Sequence, residues 1–207
     1  MDTQLSYSHY YDSIQNSIVQ RYLAMGHDET AKQAPITRNL LTEELLKAEI
    51  SPHLPPGLEI SKGEVIKGDK SSGDCDLIIY SRPIIYQYGS ITIVPYENAK
   101  AIIDIEIHGE RFLTARMYPG FKPSKPVEKK MKNVEKLKGF ARKVLCLGFH
   151  GHPRSKVFKW WLETRGNYRG ETPIFIFYTK FDRKIVRGEF ERLIKEIQQL
   201  SRKSTHA

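Results

Sequence analysis

Apolar residues recur at helical spacing in several stretches and in short strand-like runs between them, so the chain reads as a sheet flanked by helices. Over 7–25, Ile14, Ile18, Val19, Tyr22 and Leu23 share one side of a helix that ends near Gly26. Polar residues 27–37, with Pro35, read as a linker. Leu40, Leu41, Leu45, Leu46 and Ile50 then mark a second helix, stopped by Pro52 and by Pro55, Pro56 and Gly57. Strands are expected over 58–66, 75–81, 91–95 and 101–110, close enough in sequence to predict a β-meander, with 82–90 as a connection and 96–100 as a turn. A Pro-rich loop over 110–126 leads to a third helix on which Val127, Met131, Val134 and Leu137 form the apolar stripe. A buried strand over 143–149, a solvent-facing turn carrying His150 and His152, a short helix over 155–163, a strand over 172–178 and a helix over 190–200 complete the pattern.

The central run AIIDIEIHGE breaks the apolar rule. Side chains of a strand alternate, so Asp104, Glu106 and His108 take one face while Ile103, Ile105 and Ile107 take the other. A carboxylate held away from water costs several kcal/mol, in order of magnitude, unless it is paired, hydrogen-bonded or bound to a metal. The strand therefore opens one face to a site. In SGDCDLIIY, Asp74 and Asp76 again lead into an apolar strand, and Asp76 is the partner expected for Asp104. Two neighbouring strands that each bring an acid to one place make the protein half of a site for Mg²⁺ or Mn²⁺, which take hard oxygen ligands. The plainer alternative is that Asp74 and Asp76 close the turn after Ser72 and Gly73. On the second helix Glu43, Glu44 and Glu49 read as a solvated face, although one of the first two can turn toward the acids.

Charge sharpens the choice of partner. The 207 residues are 40% hydrophobic and 28% charged, a globular composition, and the net charge of +9 favours a polyanion such as nucleic acid, an acidic membrane surface being the other fit. Lys129, Lys130 and Lys132, with Lys136 and Lys138, coat the third helix and suit phosphate contacts as well as solubility. Two cysteines and no Cys/His cluster argue against zinc or a disulfide scaffold. No apolar run nears the ~20 residues that cross a bilayer; a cytoplasmic protein without a membrane contact is expected. By length the chain divides into a helical extension and linker over 1–36 and an α/β domain over 37–207.

The order of a helix with Glu43 and Glu44, a strand, SGDCDLIIY, a connection, AIIDIE, and a helix with further strands resembles the PD-(D/E)xK nuclease superfamily over about 37–178. It is similar to uncharacterised nuclease-like domains in which a helix acid, an LP turn and a CD-hydrophobic strand precede a VIEVK-type strand. The resemblance implies a restriction-endonuclease-like mixed central sheet flanked by helices, and Mg²⁺-dependent hydrolysis of DNA. It places Asp76 on the first aspartate, Asp104 on the second acid, Glu43 or Glu44 on the helix acid, and Glu106 where lysine usually stands. The metal set it implies is Glu43, Asp76, Asp104 and Glu106. A glutamate in the lysine position fits a metal ligand or base, and equally an inactive copy. Lys100, Lys67, Lys129 and Lys130 are the candidates to replace the missing lysine.

Two other readings remain at this level. A degenerate nuclease fold would bind nucleic acid without cutting it, and a nucleotidyltransferase-like enzyme would use Asp74 and Asp76 as a DxD pair. Trp160 and Trp161 fit either a homodimer contact or the core.

Overall fold

The computed structural model describes residues 3–25, 35–113, 124–165 and 172–201. The linker residues 27–34 and the loop residues 114–123 lie outside them. Among the described residues eight strands form one mixed sheet: β1 (Leu58–Lys67), β2 (Lys70–Ser71), β3 (Cys75–Ser81), β4 (Tyr86–Tyr88), β5 (Ile91–Pro95), β6 (Ala99–His108), β7 (Lys143–Gly151) and β8 (Ile174–Thr179). The order is β4-β5-β1-β3-β6-β7-β8, with β2 paired to β1. Five helices pack on it: α1 (Thr3–Ala24), α2 (Pro35–Ile50), α3 (Lys125–Leu137), α4 (Lys156–Thr164) and α5 (Glu189–Gln198).

The expected meander holds only for β1, β3 and β6, which pair antiparallel. β5 instead returns to the far side of β1 and pairs in parallel, and the expected connection contains β4. Alternation along a strand reports which side chains are buried but not which edge the strand occupies. Gly63 makes the close approach possible: a Cβ there would lie 1.8 Å from the Thr92 carbonyl oxygen. β7 and β8 continue the sheet in parallel from β6. Such neighbours need a crossover, and α3 and α4 lie in those connections.

Apolar side chains cover both faces of the sheet. On one, Ile18, Val19 and Tyr22 of α1, Leu45, Leu46 and Ile50 of α2, and Phe190, Leu193 and Ile197 of α5 meet Leu77, Ile79, Ile103, Leu147 and Phe177. On the other, Val134 and Leu137 of α3 and Phe158 and Trp161 of α4 meet Ile78, Ile102, Cys146 and Ile176. The helix of the N-terminal segment thus lies in this core; its buried Gln15 donates to the Phe177 and Val186 carbonyls at 2.9 Å each.

Two sequence expectations are corrected. Leu40 and Leu41 are exposed, because α2 turns Thr42, Glu43, Leu45 and Leu46 inward instead. His150 is buried, since β7 runs two residues beyond the expected end and pairs His150 with Tyr178. Of the two readings open for the tryptophans, Trp161 takes the core one, buried and stacked near Phe158.

Candidate active site

The site forms where β3 begins and β6 runs on past it. The β3–β6 register pairs Leu77 with Ile103, which brings Asp76 opposite Asp104 at the mouth of the two strands. Between Ser61 and Gly63 of β1 the partners on β3 step from Ile78 to Cys75, so β3 carries one extra residue there. This β-bulge puts Cys75 and Leu77 in opposite core layers and re-aims Asp76. Its carboxylate accepts the Ile105 N–H at 2.7 Å.

α2 settles which helix acid faces inward. Glu43 is buried and its Oε2 accepts from Lys62 Nζ at 3.0 Å, while Glu44 points outward to Lys47. Glu43, Asp76 and Glu106 line one cleft of about 50 Å³ together with Asn39, Thr42, Ile105, Ile107 and Phe149. That volume accommodates a small ion or a few waters. Asp74 stays on the exposed rim, 3.5 Å from Lys62, and does not line the cleft with Asp76.

The positive charge comes from α3. Lys130 Nζ lies 2.9 Å from Asp104 Oδ1, 3.2 Å from the Ile105 carbonyl and 3.9 Å from Glu106 Oε2. Val127, Val134 and Leu137 fix that face of the helix in the core, which leaves Lys129 and Lys132 exposed. Arg111, in the short helical turn after β6, holds Glu106 Oε1 at 3.1 Å. The turn lies close over β7 because two glycines meet there: a Cβ on Gly148 would stand 2.2 Å from the Gly109 Cα. Lys100 is not brought in; it sits at the other end of β6 and donates to the Glu97 carbonyl at 3.2 Å. Lys67 likewise donates to the Gly139 carbonyl, over the Tyr96 ring.

Crowding of acids shows in their protonation. Burial, reinforced by Asp104 and Glu43, raises Asp76 to about 7 against the Ile105 N–H and Lys130, which pull it down. Burial also raises Glu43 despite Lys62, and raises Asp104 despite Lys130. For Lys130 burial works downward, but Asp104, Asp76 and Glu106 outweigh it and the net shift is upward. Asp104 Oδ2 is buried without a hydrogen-bond partner. As arranged, no three His, Cys, Asp or Glu side chains among the described residues gather into a metal-holding set.

Sequence reasoning missed Lys62, Arg111, Asn39 and Thr42. Only Lys62 left a trace, as a cation one residue before the glycine of β1; the others reach the cleft through helix rotation and the turn after β6.

The mixed sheet, with two acids at its fork and helices on both faces, is the restriction-endonuclease-like fold. Among solved structures the chain is similar to the nuclease NucC of this fold. The cAAA-bound form of NucC from E. coli MS115-1 matches at 16% identity and a TM-score of 0.63, over 97% of this chain and 91% of that one. The cAAA-bound form from P. aeruginosa ATCC27853 matches at 16% and 0.62, over 93% and 90%. The apo form from E. coli MS115-1 matches at 15% and 0.53, over 93% and 90%. No protein-family model and no curated protein matches the sequence. At these identities the likeness establishes the fold.

Proposed function

We propose that the chain is a divalent-metal-dependent nuclease that hydrolyses phosphodiester bonds of DNA. The observation that carries this reading is the meeting of Glu43, Asp76 and Glu106 in one cleft, with Asp104 and Lys130 beside it. Donor chemistry fits Mg²⁺ or Mn²⁺: the groups are all carboxylates, Asp104 Oδ2 has no partner, and Asp76 and Glu43 are raised in a way that a cation would relieve. To hold the ion, Asp76, Asp104 and Glu43 would have to draw together from the described arrangement, with Glu106 able to join them. Bound there, it would supply Lewis acidity toward a phosphoryl oxygen and make a nearby water more acidic.

The chain's own groups do the rest. Glu106 takes the proton of the attacking water as the water oxygen bonds to phosphorus and the opposite P–O bond breaks, and the departing alkoxide takes a proton from solvent water. Lys130 stabilises the negative charge that builds on the phosphoryl oxygens, the part usually given to a lysine on the strand. Exposed Lys129 and Lys132 on the same helix, within a chain of net charge +9, hold the phosphate backbone.

Plasmid cleavage with Mg²⁺ or Mn²⁺ tests this in the wild type and in Asp76→Asn, Asp104→Asn and Glu106→Gln. It should be run with and without cAAA, the molecule held in the two NucC complexes. Cleavage by the wild type and loss in all three variants is expected; equal cleavage by Asp104→Asn would mark a contaminant and remove the support. The pairing of Lys130 with Asp104 favours a second reading, a module that binds nucleic acid without cutting it. That module would bind DNA in a salt-dependent way in EDTA and show neither cleavage nor Mn²⁺ heat in calorimetry.

A further inference from the structure

Lys62 stands on β1 at the irregular step of the β1–β3 register, between Ser61 and Gly63. Two carboxylates share its ammonium: Glu43 Oε2 lies 3.0 Å from Nζ and Asp74 Oδ2 lies 3.5 Å from it. Their surroundings are opposite. The Glu43 side chain is 8% exposed and lines the cleft, whereas that of Asp74 is 71% exposed on the rim. Lys62 itself is 18% exposed, between the two. Its flexible four-carbon stem lets the ammonium pass from one carboxylate to the other by turning about its last bonds. Lys130 is placed differently, for its partners Asp104, the Ile105 carbonyl and Glu106 all lie on β6.

Charge decides what this arrangement does. An ion gathered by Glu43, Asp76 and Asp104 draws the Glu43 carboxylate from its present place, because the acids as described do not stand together as a metal-holding set. It also brings two positive charges toward the ammonium, and like charges a few ångströms apart repel strongly where water is scarce. Both effects weaken the Glu43–Lys62 pair. Without another partner the ammonium would be left half-buried and uncompensated. Asp74 supplies that partner, in contact with water.

We propose that Lys62 is a latch on Glu43: it holds the carboxylate in the metal-free site and passes to Asp74 when a divalent cation binds, and so sets how tightly the cleft takes the ion. This rests on the reading of the cleft as a metal site. It gives Asp74, which does not line the cleft, a part in ion binding. A lysine that merely oriented Glu43 for the ion would act with the opposite sign, its loss weakening the ion's hold.

Calorimetric titration of Mn²⁺ into the full chain, at a mildly alkaline pH that keeps the carboxylates ionised, reads that sign. Lys62→Met should bind Mn²⁺ about tenfold more tightly than the wild type, and Asp74→Asn about threefold less tightly. In the Lys62→Met background the effect of Asp74→Asn should vanish, whereas an acid acting only through its charge would keep it. Lys62→Met leaves Glu43 buried without its cation, so urea unfolding accompanies it; Asp74→Asn changes an exposed side chain and keeps the test open.

A second measurement needs no substitution. The wild type is acetylated with an N-hydroxysuccinimide ester in EDTA and in Mg²⁺, and mass spectrometry follows Lys62 against the exposed Lys132. Lys62 should react severalfold faster in Mg²⁺, having left a buried carboxylate for the rim. Mn²⁺ affinity unchanged or lower in folded Lys62→Met overturns the latch and leaves the nuclease reading standing. So does an Asp74→Asn loss that persists without Lys62, or Lys62 labelling that does not rise in Mg²⁺ while Mn²⁺ binds. Absence of Mn²⁺ binding in the wild type and in every variant overturns both. Tighter Mn²⁺ binding by Lys62→Met in a protein that cuts no DNA supports the latch and sinks only the nuclease reading.

Discussion

Lys130 Nζ stands 2.9 Å from Asp104 Oδ1, so the cation of the acid site is supplied by helix α3 and not by strand β6. Both side chains are largely buried, at 17% and 6% exposure. Removing one member of such a pair leaves an uncompensated charge and costs about 3–5 kcal/mol. Lys130→Met should therefore lower stability in urea by an amount in that range. Lys130→Met with Asp104→Asn should recover most of it, since neither charge then remains. Nuclease activity should fall at least about 100-fold in both variants, as removal of a group that stabilises developing charge does.

The raised carboxyl of Asp76 gives stability a definite pH dependence. Its folded value of about 7 lies above the ordinary 3.8 because of burial first, then Asp104 and Glu43, with Lys130 and the Ile105 N–H opposing. As pH rises from about 4 to about 7 the unfolded chain releases this proton while the folded chain keeps it, so stability falls through that window and levels off above it. The expected loss is of the order of a few kcal/mol. Asp76→Asn should flatten this part of the profile and raise Tm near neutral pH. A wild-type Tm that climbs steadily from acid to neutral pH would contradict the assignment.

Of the two neighbouring glutamates on α2, only Glu43 lines the cleft. Calorimetric titration of Mn²⁺ should show affinity reduced about tenfold or more in Glu43→Gln and unchanged in Glu44→Gln. Glu44→Gln removes only a 3.7 Å surface pair with Lys47, which contributes at most about 1 kcal/mol.

Gly148→Ala should destabilise the fold by about 1–3 kcal/mol. The added methyl would stand 2.2 Å from the Gly109 Cα, and backbone must give way. Because the displaced turn carries Arg111, the contact with Glu106 should loosen too. Thermal melting measures the first effect, and the activity retained by the folded fraction measures the second.

Much of this was legible in the chain itself. Alternation in AIIDIEIHGE marks Asp104, and the acid heading the strand from Cys75 stands opposite it in the sheet; carboxylates inside β-branched runs are costly enough to stand out. Glu43 could not be told from Glu44, since a one-residue rotation of a helix with weak amphipathicity decides which is buried. Lys100 drew attention by proximity in sequence, whereas Lys130 reaches Asp104 across 26 residues. The position of β5 was hidden because edge order depends on a backbone contact at Gly63, which leaves no periodic signal.

Placing the lysine on α3 divides the site between two layers, a strand and the helix packed on it. The acids are fixed by strand hydrogen bonds, but the ammonium follows the seat of a helix held by Val127, Val134 and Leu137. A cavity beneath that helix, such as Val134→Ala would open, shifts charge at the cleft while touching none of its residues. Distant packing then acts as a dial on chemistry: a loosened α3 detunes the cleft while the sheet beneath it stays whole.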